Sequence, residues 1–397
     1  MKTVTLIGMG MSAETVTKEA EAAIAEAEVI MGAKRMADAF SHQGKSLVYA
    51  YEPDPVAEFI QSSDYQRYAI LVSGDVGFFS AAARLCQALK QYQLRLLPGI
   101  SSVSAFAAKL GVSWQDAALI SLHGSHEYPV ETVRRHRRTF CLTGGNIDAI
   151  AHSLQEAGLT RLQITVGENL GYAEQKITAV TVAELAEGDW ASLALLLIEN
   201  PDYDDSIPIG IVDTAFLRGE APMTKSEVRA ISLAKLALKP DFICYDIGAG
   251  TGSVTVEMAF SAYRGRVYAI DKNSEALHLC RENCRQFHIG NVTLIDGQAP
   301  AALIDLPKPD AVFIGGSAGN MAEIINLVLA KNPQVRIVVN GITLETVHAA
   351  MKAMENAGIA NMEIVQIAVA KAKKAGDLHL MIGQNPVTVI SGGGFDE

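Results

Sequence analysis

Residues 245–252 read YDIGAGTG. Phe242, Ile243, Cys244 and Tyr245 lead into this stretch as a strand, and Val254, Met258 and Ala259 mark one side of a helix after it. A buried strand that turns sharply into a helix needs glycine wherever the backbone bends or approaches a ligand closely. The next apolar run, Arg266–Ile270, stops at Asp271. There a second parallel strand would end, and a carboxylate in that place can grip two ribose hydroxyls. Dinucleotide dehydrogenases space their glycines G-x-G-x-x-G and seat a pyrophosphate on the helix N-terminus. Here the spacing is G-x-G-x-G with Asp246 directly ahead. An acid at the mouth of the loop repels a pyrophosphate and attracts a cationic amino or sulfonium group. The loop therefore suits S-adenosylmethionine (SAM) better than NAD, with a ligand-free structural turn as the other reading.

Downstream, Val292–Ile295, Ala311–Ile314 and Arg336–Val339 continue the pattern of strands with helices between them. Leu378–Ile382 and Val387–Ile390 are too close for a helical crossover and are expected to pair antiparallel through Gly383–Pro386. This predicts a doubly wound sheet of five parallel strands with an antiparallel hairpin at one edge and its ligand over the carboxyl ends. Upstream, Thr224 and Glu227 form an expected capping box for an amphipathic helix. Lys225 and Arg229 lie one turn apart on that helix, as surface residues or as holders of substrate carboxylates.

Residues 203–220 begin with a polar, proline-punctuated, acidic run and read as a linker. Residues 1–202 repeat the α/β pattern. Lys2–Ile7 runs into Gly8-Met-Gly10, followed by an expected helix over Ala13–Met31. Tyr68–Val72 ends in SGDVGFFS (73–80), and Leu94–Leu97 ends in Pro98-Gly-Ile-Ser-Ser102. Asp75, Ser101 and Ser102 suit helix caps, or contacts to a ligand at a helix's positive end. Leu119–His123, Thr139–Leu142, Gln163–Gly167 and Leu193–Ile198 complete the set. Arg134-Arg-His-Arg-Arg138 is either a solvated face or an anion-binding one.

Both halves resemble known methyltransferases. Gly8-Met-Gly10, SGDVGFFS (73–80), LPGISSVSAFAAKLG (97–111) and VGENLGYAEQKI (166–177) are similar to the tetrapyrrole methyltransferases of the cobalamin pathway. APMTKSEVRAISLAKL (221–236), DIGAGTGSVTVE (246–257), YAIDKNSEAL (268–277) and FIGGSAGN (313–320) are similar to the decarboxylating methyltransferases of that pathway. The whole resembles the family in which the two are fused. The resemblance implies a two-lobed tetrapyrrole methylase fold (class III-like, residues 1–202, lobes about 1–112 and 113–202). It implies a Rossmann-like SAM-dependent fold (class I-like) over 221–397. Each domain would bind one SAM and need no metal. The substrate would be an anionic tetrapyrrole, precorrin-6Y, methylated at C5 and C15 and decarboxylated at the ring C acetate to give precorrin-8. The cobalt-bearing counterpart is the alternative.

The implied cofactor contacts in the second domain are Thr224, Gly248, Ala249, Gly250, Thr251, Gly252, Asp271, Gln298, Ala299 and Gly316. In the first they are Asp75, Gly77, Ser101 and Ser102. Lys225, Arg229, Arg134 and Arg135 are candidates for substrate carboxylates, and no residue announces itself as the proton donor. The family implies a homo-oligomer.

The formal net charge of -11 argues against nucleic acid as a partner and disfavours an RNA methyltransferase. A protein methyltransferase and a non-catalytic SAM sensor share the glycine loop but leave the first domain unexplained. Five cysteines, at 86, 141, 244, 280 and 284, form no CxxC pair and fit a reducing cytoplasm. Cys280 and Cys284, near His278 and His288, read as a thiol-bearing helix face rather than a metal cluster. The sequence is expected to carry no leader ahead of the first strand, and no apolar run reaches the ~18 residues of a membrane span.

Overall fold

In a computed structural model, which describes residues 2–122 and 129–394, the chain divides into two units that share the polypeptide unevenly. One comprises 2–122, 137–150 and 161–201; the other comprises 129–136, 151–160 and 202–394. The second unit thus takes two short pieces from within the first domain expected from sequence, together with the whole expected linker. Periodicity shows that a segment is amphipathic but not which core its apolar face joins.

The first unit has two sheets. β1 (Thr3–Gly8), β2 (Val29–Met31), β3 (Ser46–Val48), β4 (Arg67–Val72) and β5 (Gln93–Leu97) form a parallel sheet in the order β3-β2-β4-β1-β5. β1 and β4 are apolar runs buried along nearly their whole length, as central strands covered on both faces must be. The helix expected over Ala13–Met31 is shorter, Lys18–Glu26, capped by Thr17, and Val29–Met31 is a strand instead. Three consecutive fully buried residues suit β2, whereas an amphipathic helix leaves one side wet. The second sheet contains β6 (Ala118–Ser121), β7 (Arg138–Leu142), β8 (Gln163–Glu168), β9 (Lys176–Val180) and β10 (Ala194–Glu199), in the order β6-β7-β10-β8-β9. Its pairings are antiparallel except for β6 with β7. His123, the expected end of β6, lies outside the described residues.

The second unit is built on β11 (Ile243–Ile247), β12 (Arg266–Asp271), β13 (Val292–Asp296), β14 (Ala311–Ile314) and β15 (Arg336–Gly341), all parallel. β16 (Glu363–Ile367) and the antiparallel β19 (Val387–Gly393) complete a seven-stranded sheet, β13-β12-β11-β14-β15-β19-β16. The expected pairing of 378–382 with 387–390 does not occur. β18 (Leu378–Gly383) pairs instead with β17 (Ala370–Ala375) in a separate ribbon, and β19 enters the sheet between β15 and β16. The alternating, lysine-rich β17 gave no apolar signal, so its claim on β18 was invisible. The antiparallel edge is real, but its two strands are β16 and β19.

Apolar residues fill both faces of this sheet. Val254, Met258, Phe260 and Cys280 lie in the core on one face, and Ile324, Val328, Ala350 and Met354 in the core on the other. Among the described residues no helix is long and apolar enough to cross a membrane.

Candidate active sites

In the second unit, loops from the carboxyl ends of β11, β12, β13 and β14 converge. Gly248, Gly250 and Gly252 have φ of 77°, 56° and 77°, the left-handed region that favours glycine. Each also lacks room for a side chain, for a different reason. A Cβ on Gly248 would lie 2.7 Å from the Gly316 nitrogen, one on Gly250 2.3 Å from the Pro222 oxygen, and one on Gly252 2.4 Å from Cys280 Sγ. The first glycine lets the β11 and β14 loops touch. The second admits the segment ahead of helix Ser226–Leu236, and the third seats helix Ser253–Ser261 against helix Ser274–Gln286.

Asp271 ends β12 half-buried. Its Oδ2 accepts the Gly250 N–H at 2.9 Å and its Oδ1 the Asn273 N–H at 3.0 Å. Each oxygen keeps a further lone pair, so the carboxylate clamps the glycine loop and can still accept from a ligand. It borders a cavity of about 370 Å³ whose walls include Gly248, Gly250, Gly297, Gln298, Ala299, Gly315 and Gly316. A Cβ on Gly316 would meet nothing within 4 Å. The size lies within the range of cofactor clefts. An acceptor stands at one end, and backbone without side chains forms much of the wall. These residues fit an adenosyl group with its ribose on Asp271.

Ala249, Thr251 and Gly252, expected as contacts, stand apart from that wall. Ala249 and Thr251 are buried, and Gly252 is pressed on Cys280. The G-x-G-x-G spacing alone does not tell which members face out. Asp246 is not at the mouth of the loop either. It is fully buried, with Oδ2 accepting the Thr255 hydroxyl at 2.5 Å, and burial pushes its carboxyl up to about 7.

A larger cavity, about 710 Å³, adjoins the first. It shares Pro222 and Gly315–Ala318 with it and is completed by Thr224, Lys225, Asn340, Thr343, Gln384 and Asn385, among others. Thr224 therefore borders the larger space. Among the described residues, Lys225 is the single charged one in its wall. The expected capping box is absent: Lys225 is the N-cap, the Ser226 N–H donates to Asp213 Oδ1 at 3.0 Å, and Glu227 pairs with Lys371 at 2.8 Å. Asp213 comes from the segment expected as linker, and sequence distance hid it.

Arg229 is not available to substrate. It is fully buried, donates Nε to Glu257, gives Nη1 to the Thr224 carbonyl at 2.6 Å and Nη2 to that of Ile211, and lies 4.8 Å from the Phe216 ring centre. Glu257 in turn accepts the N–H groups of Gly210 and Ile211 at 2.7 and 2.9 Å. The pair binds residues 210–224 to the unit. Arg134 is likewise withdrawn: 4% exposed, it pairs with Glu131 at 3.3 Å, donates to the Asp204 carbonyl at 3.0 Å and stacks on Phe260 at 4.6 Å. Burial pushes the Glu131 carboxyl up, against the pull of Arg134 and the Gly290 N–H. Arg135 stacks on Tyr263 at 4.0 Å. A basic run in an acidic chain invited a ligand, but these two cations serve packing.

The first unit holds a cleft of about 340 Å³ bordered by Ser73–Asp75, Phe78–Ala81, Ser102, Arg35 and Tyr172. Glycines let the loops after β1, β4 and β5, one of which borders this cleft at Gly74, touch one another. A Cβ on Gly99 would meet the oxygens of Gly74 at 2.3 Å and Gly8 at 2.5 Å, and Gly10 and Gly74 exchange two N–H···O bonds of 3.0 Å. Asp75 accepts the N–H groups of Gly77 at 2.8 Å and Gly99 at 3.0 Å, tying the β4 loop to the β5 loop. Asp75 and Ser102 border the cleft, whereas Gly77 does not and Ser101 caps helix Ser102–Leu110 through the Ser104 N–H at 3.1 Å. Sequence reading missed Arg35, whose Nη1 donates to the Tyr172 hydroxyl at 2.5 Å. No motif surrounds it.

The cysteines are all free thiols, and Cys280 and Cys284 lie in the core. Among the described residues no three His, Cys, Asp or Glu side chains gather as metal ligands.

Residues 3–186 match the tetrapyrrole (corrin/porphyrin) methylases, and residues 215–392 match the precorrin methyltransferase domain. A precorrin-6Y C(5,15)-methyltransferase (decarboxylating) of Sinorhizobium is 30% identical over 355 residues, covering 86% of this chain and 85% of that protein. A probable cobalt-precorrin-6B C(15)-methyltransferase (decarboxylating) of Saccharolobus solfataricus is 44% identical over 188 residues, covering 46% of this chain and 94% of that protein. The crystal structure of a precorrin-6Y C5,15-methyltransferase from Geobacter metallireducens is 39% identical, covers 47% of this chain and 97% of that one, and aligns with a TM-score of 0.45.

Proposed function

The chain belongs to the decarboxylating precorrin-6Y C5,15-methyltransferases, and from that premise we propose how its two units divide the reaction. It is a SAM-dependent methyltransferase of cobalamin biosynthesis whose methylations accompany a decarboxylation. The first unit methylates C5 of precorrin-6Y. The second methylates C15 and releases the ring C acetate carboxyl as carbon dioxide, giving precorrin-8. Each unit binds its own SAM.

The observation that carries this reading is the shared wall of the two cavities in the second unit, Pro222 and Gly315–Ala318. SAM supplies an electrophilic methyl group, and transfer to carbon depends mainly on holding donor and acceptor in line. Asp271 holds the adenosyl end by its free lone pairs. Main chain at Gln298 and Ala299 borders the same space, and the Gln298 amide can accept from an exocyclic amine. The side-chain-free stretch Gly315–Gly316 lets the acceptor approach closely. On the acceptor side, Lys225 attracts a peripheral carboxylate through a charge-assisted bond. Among the described residues the wall contains no acidic side chain to repel a polycarboxylate, and the amides of Asn340, Gln384 and Asn385 offer neutral donors.

The test is Asp271→Ala in the full-length protein. Losing two charge-assisted hydrogen bonds to ribose should weaken SAM binding at one of two sites by about tenfold to a hundredfold. With precorrin-6Y, mass spectrometry should then show C5 methylation without C15 methylation or loss of the carboxyl. Unchanged calorimetric affinity together with full conversion would remove Asp271 from the site. Cobalt-bearing substrate belongs in parallel, because one relative, 44% identical over 188 residues, is named for a cobalt-precorrin and another, 30% identical over 355 residues, for precorrin-6Y.

A further inference from the structure

Between β16 and β19 the chain leaves the main sheet as the ribbon β17–β18, and every residue of both strands is exposed. Residues directly opposite one another in an antiparallel pair share a face. Lys371 opposes Ile382, Lys373 opposes Leu380, and Ala375 opposes Leu378. One face therefore carries three aliphatic side chains in a row beside two lysines. Leu378, Leu380 and Ile382 are 69%, 52% and 50% exposed, an unusual state for a strip of contiguous aliphatics.

The direction of this face is fixed. Lys371 reaches Glu227 at 2.8 Å, in the first turn of the helix whose N-cap, Lys225, borders the 710 Å³ cavity. The root of the ribbon belongs to that cavity too. Val369, Gln384 and Asn385 are in its wall, and the Gln384 N–H donates to the Val369 carbonyl at 2.8 Å. Ile342, also in that wall, and the nearby Leu344 are 66% and 84% exposed. Lys373 stands within the aliphatic strip and makes no ion pair among the described residues.

We propose that the β17–β18 ribbon is a substrate arm: the Leu378, Leu380 and Ile382 face lies along one face of the tetrapyrrole while Lys373 pairs with a carboxylate on its edge. The inference rests on the functional reading above and adds the recognition element. A reduced tetrapyrrole combines an apolar, C-methylated macrocycle with acetate and propionate carboxylates on its periphery, matching an aliphatic strip flanked by lysines. In a chain of net charge -11, basic groups at this place also draw an anion toward the cavity mouth. Anchoring the ring outside the cavity leaves its reacting edge inside, where SAM is reached across Gly315–Ala318.

The experiment uses full-length Lys373→Glu and Leu380→Asp, both at exposed positions that a change of side chain leaves folded. For C15 methylation and carbon dioxide release from precorrin-6Y, KM should rise about tenfold or more in each, as expected for a lost or reversed charge-assisted contact. Turnover number and SAM affinity should stay as in the wild type, and Lys373→Arg should restore KM. An unchanged KM in both variants overturns the arm. So does a fall in particle mass by light scattering in Leu380→Asp with KM unaltered, which would assign the strip to a second copy of this chain. If the wild-type protein binds SAM but converts no precorrin, the functional reading itself fails and the arm falls with it.

Discussion

Asp246 shows how one side chain ties stability to pH. It sits fully buried behind the glycine loop with one oxygen on Thr255 and the other without a partner among the described residues, and burial pushes its carboxyl up to about 7. In the unfolded chain the same group titrates near 4. Between these values the folded protein keeps a proton that the unfolded chain has lost, so stability falls as pH rises from about 4 to 7 and levels off above. Three pH steps at about 1.4 kcal/mol each make roughly 4 kcal/mol over that window. Asp246→Asn keeps the shape without the charge. Denaturant unfolding should find the variant gaining on wild type as pH rises from 5 to 8, with Thr255 still bonded; parallel pH profiles would contradict this. The acid was visible in the sequence, but its burial was not, because a short strand end gives no sign of whether its last polar residue faces the ligand or the helix behind it. Arg229 gives the same lesson. Its partners Glu257, Thr224, Ile211 and Phe216 come from three separate segments, and only the folded chain brings them together.

At the scale of elements, the strand–glycine–helix units were legible because each is a local pattern: an apolar run, then small residues where the backbone must turn. Both loops that carry the sites were found this way. The strands missed, β2, β3, β9, β16 and β17, are short or polar on one side, and their place depends on neighbours distant in the chain. The glycine contact between the β1, β4 and β5 loops of the first unit offers a test. Gly8, Gly74 and Gly99 come from the ends of three strands and touch main chain to main chain, so an added methyl at Gly99 meets two carbonyl oxygens that cannot rotate away. Gly99→Ala should cost about 1–3 kcal/mol through overpacking and spread the β4 and β5 loops. Products from precorrin-6Y should then lack the C5 methyl yet show C15 methylation and the lost carboxyl. A doubly methylated product at the normal rate would show that this contact tolerates the displacement.

At the scale of the molecule, the chain passes from one unit to the other five times, between residues 122 and 129 and near residues 136, 150, 160 and 201. A boundary drawn at the acidic, proline-rich stretch is therefore a boundary of sequence and not of packing. A fragment starting at residue 202 keeps every residue of the 370 Å³ cavity but loses 129–136 and 151–160. Phe260 then lacks the Arg134 guanidinium, and the Gly290 N–H lacks Glu131. Such a fragment should bind SAM with the affinity of the second site in the full chain, and should melt several degrees lower than that unit does in the intact protein. Equal melting temperatures would show that those pieces add nothing. The interleaving also bears on how the polypeptide is born. Val130, Val133 and Arg134 leave the ribosome some 126 residues ahead of Phe260, so at typical elongation rates they wait on the order of ten seconds for the surface that will cover them. Through that interval a nascent amphipathic turn hangs between finished strands, and it is there that a trigger-type holdase would find its client.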